Sequence, residues 1–193
     1  MIIHIVGPSG VGKTTLGNKL IEYFNNKIIV KDTDELRDEF IKKTYKINSK
    51  IINFDKKLYQ KYIDDYINKN IKLNKPLIFT GLNIMPWFHK NYYYDLQSKY
   101  NFFIELSDGE IIKQKCKRLL LHIAEKDMDY LINFNNKFIK NVNNAINDDC
   151  NLKKTIKDNN KLKNDYKKQK YIFMSSNDIY YCIINIINKS KIK

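Results

Sequence analysis

Ile2-Ile3-His4-Ile5-Val6-Gly7-Pro8-Ser9-Gly10-Val11-Gly12-Lys13-Thr14-Thr15-Leu16-Gly17 follows directly on Met1 and decides the fold of this chain. Ile2 to Val6 is a short apolar run, mostly β-branched and closed by glycine, which is the pattern of a buried strand. Residues 7–14 match G-x-x-x-x-G-K-[ST] at every fixed position. A helix is predicted over residues 13–25, with Leu16, Leu20, Ile21 and Phe24 on one face. The residue types have a physical reason. Glycines let main-chain N–H groups curl around an anion, and the start of the helix adds the positive end of its dipole. Lys13 is placed to reach the β and γ phosphates of a nucleoside triphosphate, and the Thr14 hydroxyl to bind Mg²⁺. Gly7, Pro8, Ser9, Gly10, Val11, Gly12 and Thr15 complete the cradle. Of the six glycines in the chain, Gly7, Gly10, Gly12 and Gly17 fall within these residues, so glycine is concentrated where the motif needs it.

Working outward, Ile28, Ile29 and Val30 form a second strand over residues 27–31 that runs into Asp32. Helices are expected over residues 34–43 and 55–73, the latter with an apolar stripe of Leu58, Tyr62, Tyr66 and Ile67. A third strand, Leu77 to Thr80, ends at Gly81. Residues 85–99 read as a helix, 101–106 as a fourth strand, 108–125 as a strong helix and 129–146 as a weaker one. Residues 148–169 are rich in Lys and Asn with few apolar anchors, so a solvated helix, a mobile loop and partial disorder all stay open. Tyr171 to Met174 is a last strand, Ser175 to Asn177 a turn, and residues 179–187 a closing helix. About five strands alternating with helices predict an α/β fold, a three-layer α/β/α arrangement around a parallel sheet. Ligands are then expected at the carboxyl ends of the strands. The 193 residues read as one domain, with acceptor-binding helices at about 34–75, a helical lid at about 109–147 and a polar flexible segment at about 148–169.

A Mg²⁺-nucleotide site needs an acidic residue at the end of a hydrophobic strand. The third strand ends without one, whereas the second ends in Asp32, with Asp34 two residues on. Asp32 is therefore the metal-shell candidate and Asp34 the candidate for contact with a phosphoryl acceptor, the alternative being that one of them caps the following helix. Arg37 lies one helical turn beyond Asp34, on the same face, where the pair suits a hydroxyl or phosphate acceptor or is a plain ion pair. Arg118 stands in the basic run Lys113, Lys115, Lys117, Arg118, where it is a candidate to fold over the γ-phosphate, against the alternative of a solvated basic face.

The formal charge of +14 comes from 35 Lys and Arg against 21 Asp and Glu, a surplus that attracts phosphates, nucleotides, nucleic acid or anionic membrane. Only Arg37 and Arg118 are arginines, and Lys, Asn, Ile and Tyr are abundant throughout, so part of that charge reflects compositional bias. The same bias gives weight to the two positions that keep a planar, bidentate guanidinium. Cys116, Cys150 and Cys182 form no C-x-x-C pair, and His4, His89 and His122 have no metal-ligand spacing, so no zinc site or disulfide framework is expected. No apolar stretch is long enough to span a bilayer, and a soluble protein of the reducing cytoplasm is expected.

The opening motif, Asp32-Thr33-Asp34-Glu35-Leu36-Arg37 and the basic helix after the fourth strand together resemble the nucleoside monophosphate kinases, adenylate kinase relatives in particular. The resemblance implies a phosphate-loop (P-loop) NTPase fold, ATP and Mg²⁺ as cofactors and a nucleotide acceptor. By it Arg37 would hold the acceptor monophosphate, Arg118 would be a lid arginine, and Ser176, in the turn Ser175 to Asn177, would lie against the adenine. Thr80-Gly81-Leu82-Asn83 departs from that family's Asp-Gly-Phe-Pro-Arg segment. Asp32 and Asp34 are also similar to the Asp-x-Asp of shikimate-type kinases, and Asp34-x-x-Arg37 to polynucleotide 5′-hydroxyl kinases. For an acceptor on nucleic acid, Trp87, Phe88 and Tyr92 to Tyr94 would stack bases, the alternative being core packing. A non-catalytic nucleotide switch is the reading from another class, and the chain lacks the Asn-Lys-x-Asp that would read guanine.

Overall fold

The computed structural model describes residues 1–45, 55–85, 92–124 and 152–190. Five parallel strands form one sheet: β1 (Ile2–Val6), β2 (Ile29–Asp32), β3 (Leu77–Thr80), β6 (Tyr100–Ile104) and β7 (Ile172–Met174). Their order is β2-β3-β1-β6-β7, so the strand carrying the glycine-rich motif lies at the centre. Two short strands, β4 (Ile84–Met85) and β5 (Tyr92–Tyr93), pair antiparallel in a separate ladder. Among the described residues the helices are α1 (Lys13–Tyr23), α2 (Thr33–Tyr45), α3 (Lys56–Ile71), α4 (Asp108–Ala124), α5 (Leu152–Lys168) and α6 (Ser176–Ser190).

By its contacts the chain divides into two compact units, one of Met1–Gly7, Gly12–Ile104 and Ile172–Lys193, the other of Pro8–Val11 and Glu105–Tyr171. The first contains the sheet. Strand alternation sends Ile2, Leu77 and Phe79 to one face, where they form a core with Leu36 and Phe40 of α2 and Tyr59, Ile63 and Ile67 of α3. On the other face lies α1: Gly17 is so close to β2 that a Cβ there would stand 2.9 Å from Val30 Cγ1. The helix α6 packs beside α1 and against β6. Helices on both faces of a parallel sheet are the three layers the sequence predicts.

The predicted strands recur with shifted ends, but three helix-level expectations need correction. Of the helix expected over residues 85–99, the described part, residue 85 and residues 92–99, is not helical. Within the described part, Tyr92–Tyr93 pairs with Ile84–Met85, and Asp95 Oδ1 accepts from the Gln97 amide at 2.7 Å in a tight turn with Gln97 at φ 52°. Aromatic residues suit a strand, and the side chains of Tyr94 and Leu96 are drawn into the α2–α3 core. The apolar stripe of α3 is broader than expected and loses its first member: Tyr59, Ile63 and Ile67 are buried, Tyr62 and Tyr66 pack partly buried against the same core, and Leu58 is exposed. Ser175 to Asn177 is not a free turn, because Ser176 and Asn177 already belong to α6, and Ser175 and Asp178 cap it reciprocally at 3.2 and 2.7 Å. The expected helix over 129–146 lies outside the described residues.

In the second unit, α4 begins with a capping box in which the Glu110 amide donates to Ser107 Oγ at 3.3 Å and Glu110 Oε2 accepts from the Ser107 amide at 2.9 Å. The Lys/Asn-rich segment forms α5, and its link to α4 is polar. Asn159 Nδ2 donates to Asp108 Oδ1 at 2.6 Å, Lys115 Nζ to Thr155 Oγ1 at 3.5 Å, and Lys163 pairs with Glu105 at 3.5 Å. Thr155 and Asn159 are buried beside a fully buried Tyr166, so polar side chains take up much of the helix's inner face.

Candidate active site

Gly12 closes the loop and caps α1 with φ 87°, a left-handed conformation open to glycine at little cost. No side chain caps α1, so its first amides depend on other partners, as an anion-binding helix start requires. Lys13 Nζ donates to the Gly7 carbonyl at 2.9 Å, which folds the ammonium back over its own loop. Thr14 and Thr15 are exposed at the head of α1. Within the second unit, the Pro8–Val11 stretch is packed on α4: a Cβ on Gly10 would stand 3.7 Å from Lys115 Cγ and 3.8 Å from Gln114 Cβ. Of the basic run, Lys115 thus lies against the loop at Gly10. Arg118 lies on α4, and its side chain is outside the described residues.

Beside the motif-bearing strand, β3 and β2 end together, with Asp32 in register with Thr80. Asp32 is the cap of α2: its Oδ1 accepts from the Asp34 amide at 2.8 Å, while Oδ2 lies 3.5 Å from Thr80 Oγ1. Asp32 rather than Asp34 therefore takes the capping role. The Asp32 carboxyl is half-buried, and its pKa is raised above the ordinary value, first by that burial, with the charges of Asp34 and Glu35 adding to it. The hydrogen bond from the Asp34 amide and, more weakly, the Lys13 charge oppose the shift.

Asp34 and Arg37 meet. Arg37 Nη1 donates to Asp34 Oδ1 at 2.8 Å, and its Nε is 3.7 Å from Asp38. The Arg37 side chain is 16% exposed and that of Asp34 67%, so the guanidinium is sunk and the carboxylate stands out in solvent. Beneath them, the phenol pKa values of Tyr59 and Tyr94 are raised chiefly by burial, and the charges of Arg37 and Asp34 reach both. Tyr94 is thus core, while Trp87 and Phe88 lie outside the described residues.

Sequence reading missed several residues that build this corner. Thr33, the first residue of α2, is fully buried and donates from Oγ1 to the Leu82 carbonyl at 3.2 Å. Gly81 has φ 115°, and a Cβ there would sit 2.2 Å from Thr33 Oγ1 and 3.4 Å from Asp32 Oδ1, so only glycine lets β3 approach α2 this closely. His4, fully buried, holds Nε2 2.9 Å from the Gly81 carbonyl, and burial lowers its pKa to about 4, so it is a neutral packed histidine. Asn83 Nδ2 donates to the Tyr94 carbonyl at 2.9 Å and the Tyr94 amide to the Asn83 carbonyl at 3.1 Å. The signal for Gly81 was present in the sequence: a glycine directly after a strand in a glycine-poor chain. Ser176 opens α6 after β7, and β6 separates β7 from β1 in the sheet.

No family profile matches the chain, and no curated protein matches it in sequence. Among solved structures it is similar to shikimate kinase from Acinetobacter baumannii in complex with shikimate, at 14% identity and a TM-score of 0.44 over 100% of this chain and 95% of that one. It is also similar to shikimate kinase from Bacteroides thetaiotaomicron, at 18% identity and a TM-score of 0.35 over 76% of each chain. No helix among the described residues is long and apolar enough to cross a membrane.

Proposed function

We propose that this protein is an ATP-dependent kinase that passes the γ-phosphoryl group to a small-molecule acceptor, a nucleoside monophosphate or a related nucleotide. The observation that carries the reading is geometric: Gly7 follows β1, β1 lies beside β3, and β3 ends in register with Asp32 of β2, so the head of the phosphate motif and a half-buried carboxylate stand at the same carboxyl edge of the sheet. From that carboxylate the chain turns directly into the Asp34–Arg37 pair. A triphosphate held by loop amides and Lys13 would thus have an acidic and a basic side chain beside it, at the carboxyl ends of parallel strands.

In the transfer, an acceptor oxygen forms a bond to the γ-phosphorus while the bond from that phosphorus to the β–γ bridging oxygen breaks, and ADP leaves. If the acceptor is a hydroxyl, Asp34, which is exposed, is the candidate to take its proton. If the acceptor is a phosphate, its oxygen attacks without that step, and Arg37 holds its charge bidentately. Arg118 and Lys115 are the candidates on α4 for neutralising the transferred group, and Ser176 is the candidate neighbour of the base. No cluster of three or more His, Cys, Asp or Glu side chains among the described residues is suited to a metal. Mg²⁺ fits such a site, because it binds through one or two protein oxygens plus substrate phosphates. Thr14 and Asp32 would hold it, and when bound it neutralises phosphate charge. A coupled assay of ATP consumption over nucleoside mono- and diphosphates, shikimate-like polyols and 5′-hydroxyl oligonucleotides tests the reading. Acceptor-dependent turnover that Lys13→Ala abolishes is the expected result. Tight nucleotide binding with no acceptor-dependent turnover would overturn it in favour of a nucleotide switch.

A further inference from the structure

We propose that Tyr94 is a positioning residue for phosphoryl transfer: with Thr33 it converges on the Leu82 carbonyl and so tethers the first turn of α2, which carries Asp34, to the end of β3. The inference rests on the kinase reading for its catalytic half and on geometry for its structural half. The Tyr94 hydroxyl donates to Leu82 O at 2.9 Å, and Thr33 Oγ1 donates to the same oxygen at 3.2 Å. A carbonyl oxygen has two lone pairs, so these two hydroxyls saturate it. Thr33 is flanked by Asp32 and Asp34, and whatever holds its side chain holds the corner that presents both carboxylates.

The other end of the tether is equally constrained. The Gly81 amide donates to Ile5 O at 3.1 Å and its carbonyl lies 2.9 Å from His4 Nε2, so the chain entering Leu82 is tied to β1. Asn83 brackets the main chain of Tyr94 on both its N–H and its C=O. Asn83 is itself buried, so its side chain is committed inward. The Tyr94 ring stands edge-on to Tyr59, with centroids 5.2 Å apart and planes at 78°, and Tyr59 is packed in turn on Phe40 at 4.9 Å. A phenylalanine at 94 would fill the same space. What tyrosine adds is a buried hydroxyl, whose desolvation is offset only by its bonds.

The experiment compares Tyr94→Phe, Thr33→Val, Thr33→Ser and the double variant Tyr94→Phe/Thr33→Val in the full chain. Tyr94→Phe is expected to lower kcat about tenfold, the value of one hydrogen bond to the reaction geometry. Its affinity for Mg·ATP by calorimetry should stay within about twofold of the wild type, since the phosphate loop is untouched. Thr33→Ser should keep activity and Thr33→Val lose it. The double variant should be little worse than the poorer single, because both act on one carbonyl. Amide exchange at residues 33–37 should speed up in Tyr94→Phe while that of β1 does not change. Unchanged kcat and exchange in Tyr94→Phe would overturn the proposal, as would fully additive losses. If Tyr94→Phe does not fold, the Thr33 pair decides: Val and Ser behaving alike overturns it. A wild type without turnover on any acceptor sinks the kinase reading, and exchange still tests the tether.

Discussion

The glycine-rich loop and the Asp32–Arg37 corner are built by opposite strategies. The loop is a continuous stretch, and what it needs is written into its own torsions: Gly12 is left-handed, and Lys13 reaches back to Gly7 at 2.9 Å. The corner gathers residues from places far apart in the chain, Asp32 and Thr33 at the start of α2, Gly81 and Leu82 after β3, and Tyr94 after β5. A local motif survives as long as its sequence does. A corner of this kind depends on the packing that brings its parts together.

Substitution can break that contrast at either end. The largest effect is expected for Gly81→Ala, which combines a strained φ of 115° with a Cβ placed 2.2 Å from Thr33 Oγ1. We expect a loss of about 4 kcal/mol in denaturant titrations, from backbone strain and overpacking together. His4 comes next. Its folded pKa of about 4 lies below the ordinary 6.5, so the unfolded chain binds a proton between these values that the folded chain does not. The stability present above pH 6.5 should therefore fall by about 3 kcal/mol as the pH drops to about 4, and His4→Gln should flatten that part of the stability–pH curve.

On the loop side, Lys13→Ala should weaken Mg·ATP binding by about 100-fold, about 2.7 kcal/mol, measured by calorimetry, with the fold intact by circular dichroism. Gly12→Ala is the smallest and sharpens the comparison with Gly81. Its φ of 87° is equally positive, but a Cβ would meet nothing within 4 Å. Only the backbone term of about 1–2 kcal/mol should appear in its unfolding free energy. If Gly12→Ala proved as damaging as Gly81→Ala, the difference between local and assembled geometry would not hold.

That difference also explains which parts of the molecule were legible in advance. The loop, α1 and the Asp34–Arg37 pair depend on residues within a turn or two of one another, and all three were visible in spacing alone. On α3, tyrosines and isoleucines offer more than one apolar face, so periodicity could not choose between Leu58 and Tyr59. The α2 core chose Tyr59, whose ring packs 4.9 Å from Phe40. The segment after β3 read as a helix, but Tyr94 and Leu96 are held by a core that the local sequence does not contain. On α5 the misleading feature was polarity. Thr155 and Asn159 are buried because α4 supplies Lys115 and Asp108 as partners.

By itself, the sequence determined a parallel α/β architecture opening on a phosphate-binding loop, because strand alternation, helix periodicity and glycine torsions are short-range properties. The tertiary structure alone decided which carboxylate caps α2, how deeply Arg37 is sunk, and that Thr33 and Tyr94 share the Leu82 carbonyl. Those outcomes depend on hydrogen bonds and packing between residues up to 77 positions apart, as between His4 and Gly81, and no local pattern encodes such a pairing.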